Sequence, residues 1–313
     1  DTLYRGFTAC RDVGGADAGF REAQKIGLIK GPRLKVSGLS LTMTGGHADP
    51  RLSTDSRPPY NTILGCGVVC DGVSDVRKAA REQLRRGVDH IKVMAAGGCA
   101  SPADEPDTCQ YSLDELQAIA YEAQAAGKYT IAHCYSNLSI QNCIKAGIRS
   151  IEHGNFMDRN TAKLIRKAGC WYVPTLTTYE VIVRHGEEFG VPGYFLRKMK
   201  LVYESALEAV SNAKDEGVII GSGSDVIGPG QPFKATELEL KSRVLGPMGA
   251  IQSATKVNST ILRMEDKIGT IEPEKLADLI IVNGDPLKEI ELFQDRDRIS
   301  VIMQGGNFIK KAL

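Results

Sequence analysis

The chain has 313 residues, enough to bury one large core, and its 39 Lys and Arg against 38 Asp and Glu leave a formal net charge of +1. With no basic stripe and no acidic tail, the charge pattern argues against a nucleic-acid or anionic-membrane partner, and the lack of any run of about 18 apolar residues argues against a membrane span. The eight cysteines (10, 66, 70, 99, 109, 134, 143 and 170) form no repeated CxxC pairs, so free thiols in a reducing, cytoplasmic setting are expected. Disulfides in a secreted enzyme are the alternative, with Cys99–Cys109 as the candidate bridge across a loop. Cys66 and Cys70 form a lone C-x3-C, a weak metal signal.

No signal peptide is visible, and the chain opens without a methionine on DTLYRGFTACRDVGG, which reads as a helix end running into an interior strand. Strands are predicted at 7–13, 33–38, 89–95, 128–134, 149–153, 171–176 and 217–223. Helical patterns lie between them. The segment 112–127 has Ser112 and Glu115 in capping-box spacing and Gly127 as a stop. Segments 136–147 and 159–169 each end in Ala-Gly, and 194–217 is a longer version. Seven strands alternating with helices predict parallel βα repeats, and so an α/β chain. A (β/α)8 barrel is favoured over a doubly wound open sheet, because RDVGGADAG after the first strand lacks the GxGxxG spacing. After a helix-like stretch at 246–262, short runs within 268–286 and 298–311 with Gly, Asn, Asp and Pro turns read as antiparallel strands. The expected division is a barrel over 1–264 and a small β appendage over 265–313.

In such a barrel the chemistry sits at the C-terminal ends of the strands. The polar residues there are Lys92, His133, His153 and Asp225, closing the runs HIK, TIAH, SIEH and IIGSGSD. A lone histidine is most often a satisfied core residue. Two histidines, a lysine and an aspartate facing one mouth point instead to a metal site for zinc, manganese or a similar divalent ion. Lysine is the awkward member, since an ammonium repels cations. Burial favours its neutral amine, which can add CO2 to give an anionic carbamate able to bridge two metals. The plainer alternative is an ion pair between Lys92 and Asp225.

The segments GFTACRDVGG, SGLSLTMTGGHAD, HIKVMAAGG, IAHCYS, SIEHGNFMD, GSD and IGTIEPEKLADLIIVNGDP together resemble, in order, the blocks of the amidohydrolase superfamily, in particular its prolidase and arginine-carboxypeptidase-like branch near imidazolonepropionase. The resemblance implies two divalent metals, zinc foremost, with Lys92 as the carbamylated bridging ligand and His133 and His153 on the second metal. It makes Asp225 a ligand of the first metal and the proton shuttle. His47 and Tyr135 correspond to residues that contact the substrate carbonyl or the tetrahedral intermediate. On residues alone, His47 is equally a solvated loop residue and Tyr135 a packing residue. One departure stands out. The family carries an His-x-His pair on its first barrel strand, and this sequence has no HxH. The expectation is therefore a barrel lacking its first strand in this chain, from a protein that continues upstream or was cleaved. Two unpaired strand edges would then favour aggregation of the chain made alone.

What the resemblance implies is hydrolysis of an amide or peptide bond in a dipeptide or N-acyl amino acid through a metal-bound hydroxide. Arg184 and Lys198 are candidate cations for a substrate carboxylate. A cyclic amide or lactone hydrolase of the same superfamily is one alternative, and a non-catalytic fragment or scaffold lacking the first-metal His pair is another. The expected partners are a small-molecule substrate and further copies of the chain in a homo-oligomer.

Overall fold

Parallel strands and helices alternate along the chain in the computed structural model, which describes residues 1–59 and 67–312. β1 (Ala9–Arg11) pairs with β2 (Arg33–Lys35). β3 (Ser40–Thr42) lies between β4 (Gly67–Val69) and β5 (Ile91–Met94). β6 (Thr130–Cys134), β7 (Ser150–His153), β8 (Trp171–Val173) and β9 (Ile219–Ile220) follow, each parallel to the one before. The predicted strand at 33–38 keeps only β2, and β3 follows beyond Gly38, which takes φ 63°. The Asp89 amide donates to the Val36 carbonyl at 2.8 Å and carries the arc across that break. The architecture is the predicted α/β barrel of (β/α)8 type. Among the described residues the main parallel sheet runs β4-β3-β5-β6-β7-β8-β9, with β1 and β2 as a separate parallel pair.

Alternation along the strands sorts side chains into two layers. Ile91, Val93, Ala132, Cys134, Ile151 and Ile220 face the helices and pack with Leu116, Ile119 and Val210. Tyr129, Ile131, Trp171 and Val173 form a separate cluster with Ile261. Each fully buried aliphatic or aromatic chain contributes about 1.5–3 kcal/mol. The helix at Leu113–Ala125 starts at Ser112, whose backbone amide donates to Glu115 Oε2 at 2.8 Å. Helices Asn137–Ala146 and Arg159–Ala168 end at Gly147 and Gly169, both left-handed.

Several boundaries differ from the prediction. The strand expected at 171–176 stops at Val173, because Pro174 has no amide for the ladder, and an unpredicted helix runs over Leu176–His185. The strand expected at 217–223 keeps only Ile219–Ile220, since Gly221 and Gly223 weaken its end. The long helix at 194–217 divides into Gly193–Glu204 and Ala206–Asp215. β3 and β4 have no counterpart among the predicted strands.

Toward the C-terminus, β10 (Leu279–Val282), β11 (Ile299–Gln304) and β12 (Asn307–Lys311) form an antiparallel sheet. Gly305 and Gly306, both at positive φ, make the tight turn between β11 and β12. This sheet is tied to the barrel's first residues, where Gln304 Nε2 donates to the Thr8 carbonyl at 2.8 Å and Arg33 pairs with Asp278. Cys99 and Cys109, the candidate bridge, are free thiols, as are Cys10, Cys70, Cys134, Cys143 and Cys170; Cys66 of the C-x3-C lies outside the described residues. Among the described residues no helix is long and apolar enough to cross a membrane.

Candidate active site

Lys92 sits on β5 between Ile91 and Val93, which face the helices, so its side chain is directed into the barrel, where it is 3% exposed. Burial lowers the pKa of this amine, opposed by the negative charges of Glu152 and Asp225. Glu152 is itself occupied, accepting from Arg11 at 2.8 Å and from Ser150 Oγ at 2.6 Å. The plain ion pair with Asp225 is not formed: among the described residues no hydrogen bond or salt bridge holds Lys92 Nζ. This environment shifts the Lys92 amine toward its neutral form.

His133 belongs to β6, on the same face as Ile131, and so points inward. His153 on β7 shares its face with Ile151, which packs against the helices. A regular strand would therefore carry His153 outward. Its left-handed backbone, φ 72°, brings the ring into the mouth instead, with its centroid 4.6 Å from that of His133. His47 stacks on the other side of His133 at 4.3 Å. Tyr135 lies against both strand-end imidazoles, 4.9 Å from His133 and 5.4 Å from His153. Three histidines and a tyrosine drawn from loops and strands more than a hundred residues apart thus share one contact cluster.

Each of the two strand-end imidazoles has one nitrogen bonded. His133 Nε2 lies 2.9 Å from the Gly97 carbonyl, which as an acceptor requires a proton there and leaves Nδ1 with a free lone pair. His153 Nδ1 lies 2.7 Å from Thr175 Oγ1, which leaves Nε2 free. Burial holds both rings well below the usual histidine range, so they are neutral and able to donate lone pairs. One nitrogen bonded and the other free is the arrangement of a metal-ligating histidine. Among the described residues no three His, Cys, Asp or Glu side chains are set to hold a metal ion. The donors that converge are two imidazoles with a lysine amine and Asp225 within electrostatic reach, and this set fits a divalent ion once Lys92 becomes an anionic carbamate.

Asp225 follows the GSGS stretch after β9 and is also left-handed, at φ 52°. It is exposed, yet desolvation by the neighbouring protein pushes its carboxyl up to about 6, against the opposing charge of Lys92. His47 is likewise partly accessible but enclosed. Burial, then Lys92 and Lys198, push it down to about 3, so it is neutral.

The loop after β5 is shaped around His47. A Cβ on Gly98 would lie 2.0 Å from His47 Cε1 and Nδ1, and one on Gly97 would lie 2.1 Å from the Glu105 carbonyl oxygen. The Gly-Gly pair after the strand is thus explained by close approach. His47 Nδ1 is 2.9 Å from Ser101 Oγ, which donates in turn to Asp104. Asp104 also accepts from Gln110 Nε2 at 2.6 Å, while Gln110 Oε1 accepts the His47 amide at 3.0 Å. Lys198 is buried and donates to the carbonyls of Ser101, at 2.9 Å, and Asp104, so it secures this loop instead of facing a substrate. Arg184, the other candidate cation, is largely exposed and pairs with Glu180. Ser101, Asp104, Thr175 and Arg11 were not identifiable from spacing. Thr175 and Arg11 fell inside predicted strands; Ser101, with Asp104 behind it, reaches the site through His47, 54 residues away, and Arg11 through Glu152, 141 residues away.

A sequence profile of the amidohydrolase family matches residues 1–309, and the chain belongs to that family. Ochratoxinase from Aspergillus niger is 33% identical over 328 residues, spanning 99% of this chain and 67% of its own. A crystal structure described as an amidohydrolase superposes with a TM-score of 0.97 at 41% identity, covering 100% of this chain and 77% of that one. A prolidase complexed with N-methylphosphonate-L-proline gives 0.96 at 39%, covering 99% and 77%. The protein is a hydrolase acting on carbon–nitrogen bonds.

Proposed function

We propose that the protein is a metal-dependent amidohydrolase that cleaves the amide bond of a dipeptide or N-acyl amino acid. The observation that carries this reading is the meeting of His133 and His153, each with one nitrogen bonded and one free, beside Lys92 and Asp225 at the strand ends. The likeness to a prolidase with a proline-based ligand and to ochratoxinase supports the substrate class. His133 and His153 would offer Nδ1 and Nε2. The Lys92 amine would add to CO2, forming an N–C bond and releasing a proton, and present the carbamate oxygens. When bound, divalent ions supply Lewis acidity to the scissile carbonyl and to the attacking water. Asp225, pushed up to about 6, takes a proton from that water near neutral pH and passes it to the leaving amine. His47 and Tyr135 flank the position of the carbonyl oxygen and orient it.

The test uses the full-length, zinc-loaded protein on N-acyl amino acids and Xaa-Pro dipeptides against cyclic amides and lactones. Turnover of the first group is expected, with kcat falling by about 10²–10⁴ in Asp225→Asn. Preferential turnover of the cyclic substrates would replace this reading with the cyclic-amide or lactone one. No turnover of either group would favour a non-catalytic protein.

A further inference from the structure

We infer that Thr175 is a positioning residue of the metal-binding centre, holding His153 so that Nε2 is the nitrogen free to ligate; this rests on the metal-dependent reading above. Thr175 and His153 are both buried, and Oγ1 to Nδ1 at 2.7 Å is the one hydrogen bond made by the His153 ring among the described residues. An imidazole that ligates through Nε2 must carry its proton on Nδ1 and needs an acceptor there. Thr175 Oγ1 supplies it, and the same hydroxyl lies 3.4 Å from the Tyr179 hydroxyl.

The backbone gives a second, independent reason. Thr175 is left-handed, φ 52° and ψ 48°, a conformation that suits glycine and is strained for a β-branched residue. Local folding alone would favour glycine. Threonine often precedes a helix because its side chain caps it, but Thr175 makes no cap bond to the helix that follows. The side chain's hydrogen bond goes to His153, itself left-handed on the neighbouring strand. Two strained residues are thus joined across β7 and β8. Just beyond, Glu237 pins the turn, its Oε2 accepting from the Thr177 amide at 2.8 Å and the Thr177 hydroxyl at 2.9 Å.

The experiment titrates zinc into metal-stripped full-length protein against a chromophoric chelator and records the melting temperature of each stripped variant. Thr175→Gly removes the hydroxyl while relieving the backbone, Thr175→Val removes the hydroxyl and keeps the branched shape, and Thr175→Ser keeps the hydroxyl. The expected result is zinc affinity weakened about 10–100-fold in the Gly and Val variants and restored in Ser, with the melting temperature of Thr175→Gly unchanged or raised. Unaltered zinc affinity in both Gly and Val variants overturns the inference and leaves the metal-dependent reading standing. Failure of the unsubstituted protein to bind zinc overturns both.

Discussion

Gly98 is where a residue's chemistry is set by what it lacks. His47 occupies the space a side chain would fill, with ring atoms 2.0 Å from the position of a Cβ. The ring is also held at Nδ1 by Ser101 and rests on His133. Gly98→Ala must therefore displace His47 or the loop, at a cost of about 1–3 kcal/mol. Urea unfolding should show that loss, and kcat should fall in the same variant. Stability and turnover both equal to the unsubstituted protein would mean that the ring and loop part without cost. Lys92 shows the converse. A cation with no hydrogen bond or ion pair among the described residues is an expensive thing to bury, and its lowered pKa relieves that cost by favouring the neutral amine.

At the scale of elements, the helices carry stability and the strand ends carry strain. The helix Leu113–Ala125 places Leu116 and Ile119, essentially fully buried, against the outer face of the sheet. Ile119→Ala should cost about 2–5 kcal/mol, measured by denaturant unfolding, while zinc affinity stays as it was. A loss well below that range would mean that the layer collapses to fill the space. β7, by contrast, ends in a left-handed histidine, and β8 is followed by a left-handed threonine. Those two positions give up local stability to bring a ring into the mouth, so substitutions there should act on metal affinity more than on folding.

The stability of the whole molecule should depend on pH through its buried neutral histidines, and His90 at the start of β5 is the simplest case. It is fully buried, with Nε2 3.0 Å from the Asp12 carbonyl oxygen and Nδ1 unpartnered. Burial, followed by the charge of Arg11, pushes it down to about 3 from its usual 6.5. The unfolded chain therefore binds a proton that the folded one refuses between those values, and stability falls as pH drops through that window. From pH 7 to 5 the loss from this one group is about 2 kcal/mol. Unfolding free energies of the unsubstituted protein and His90→Gln at both pH values check this, the slope being shallower in the variant. Equal slopes would show that His90 does not govern acid sensitivity.

Much of this molecule was legible in its sequence because it rests on periodicity and on local chemistry. Alternation of apolar strands with capped, glycine-stopped helices determined a parallel βα architecture, and the polar residues closing the runs determined which side chains to compare: Lys92, His133, His153 and Asp225; His47 and Tyr135 entered only through the family resemblance. Strand 130–134 and the helix capped by Ser112 needed nothing beyond their own residues. The tertiary structure decided what depends on distant partners. The His47–Ser101 contact spans 54 residues and the His153–Thr175 bond 22, and neither leaves a repeat or spacing in the chain. The helix at Leu176–His185 was hidden behind an apolar run, since the left-handed turn at Thr175 is held by Glu237, 60 residues on from Thr177. Sequence pattern fixes which faces are buried, because burial follows the period of the element. Which nitrogen of an imidazole is free, and which glycine admits a ring, follow from contacts that exist only once the strands have come together.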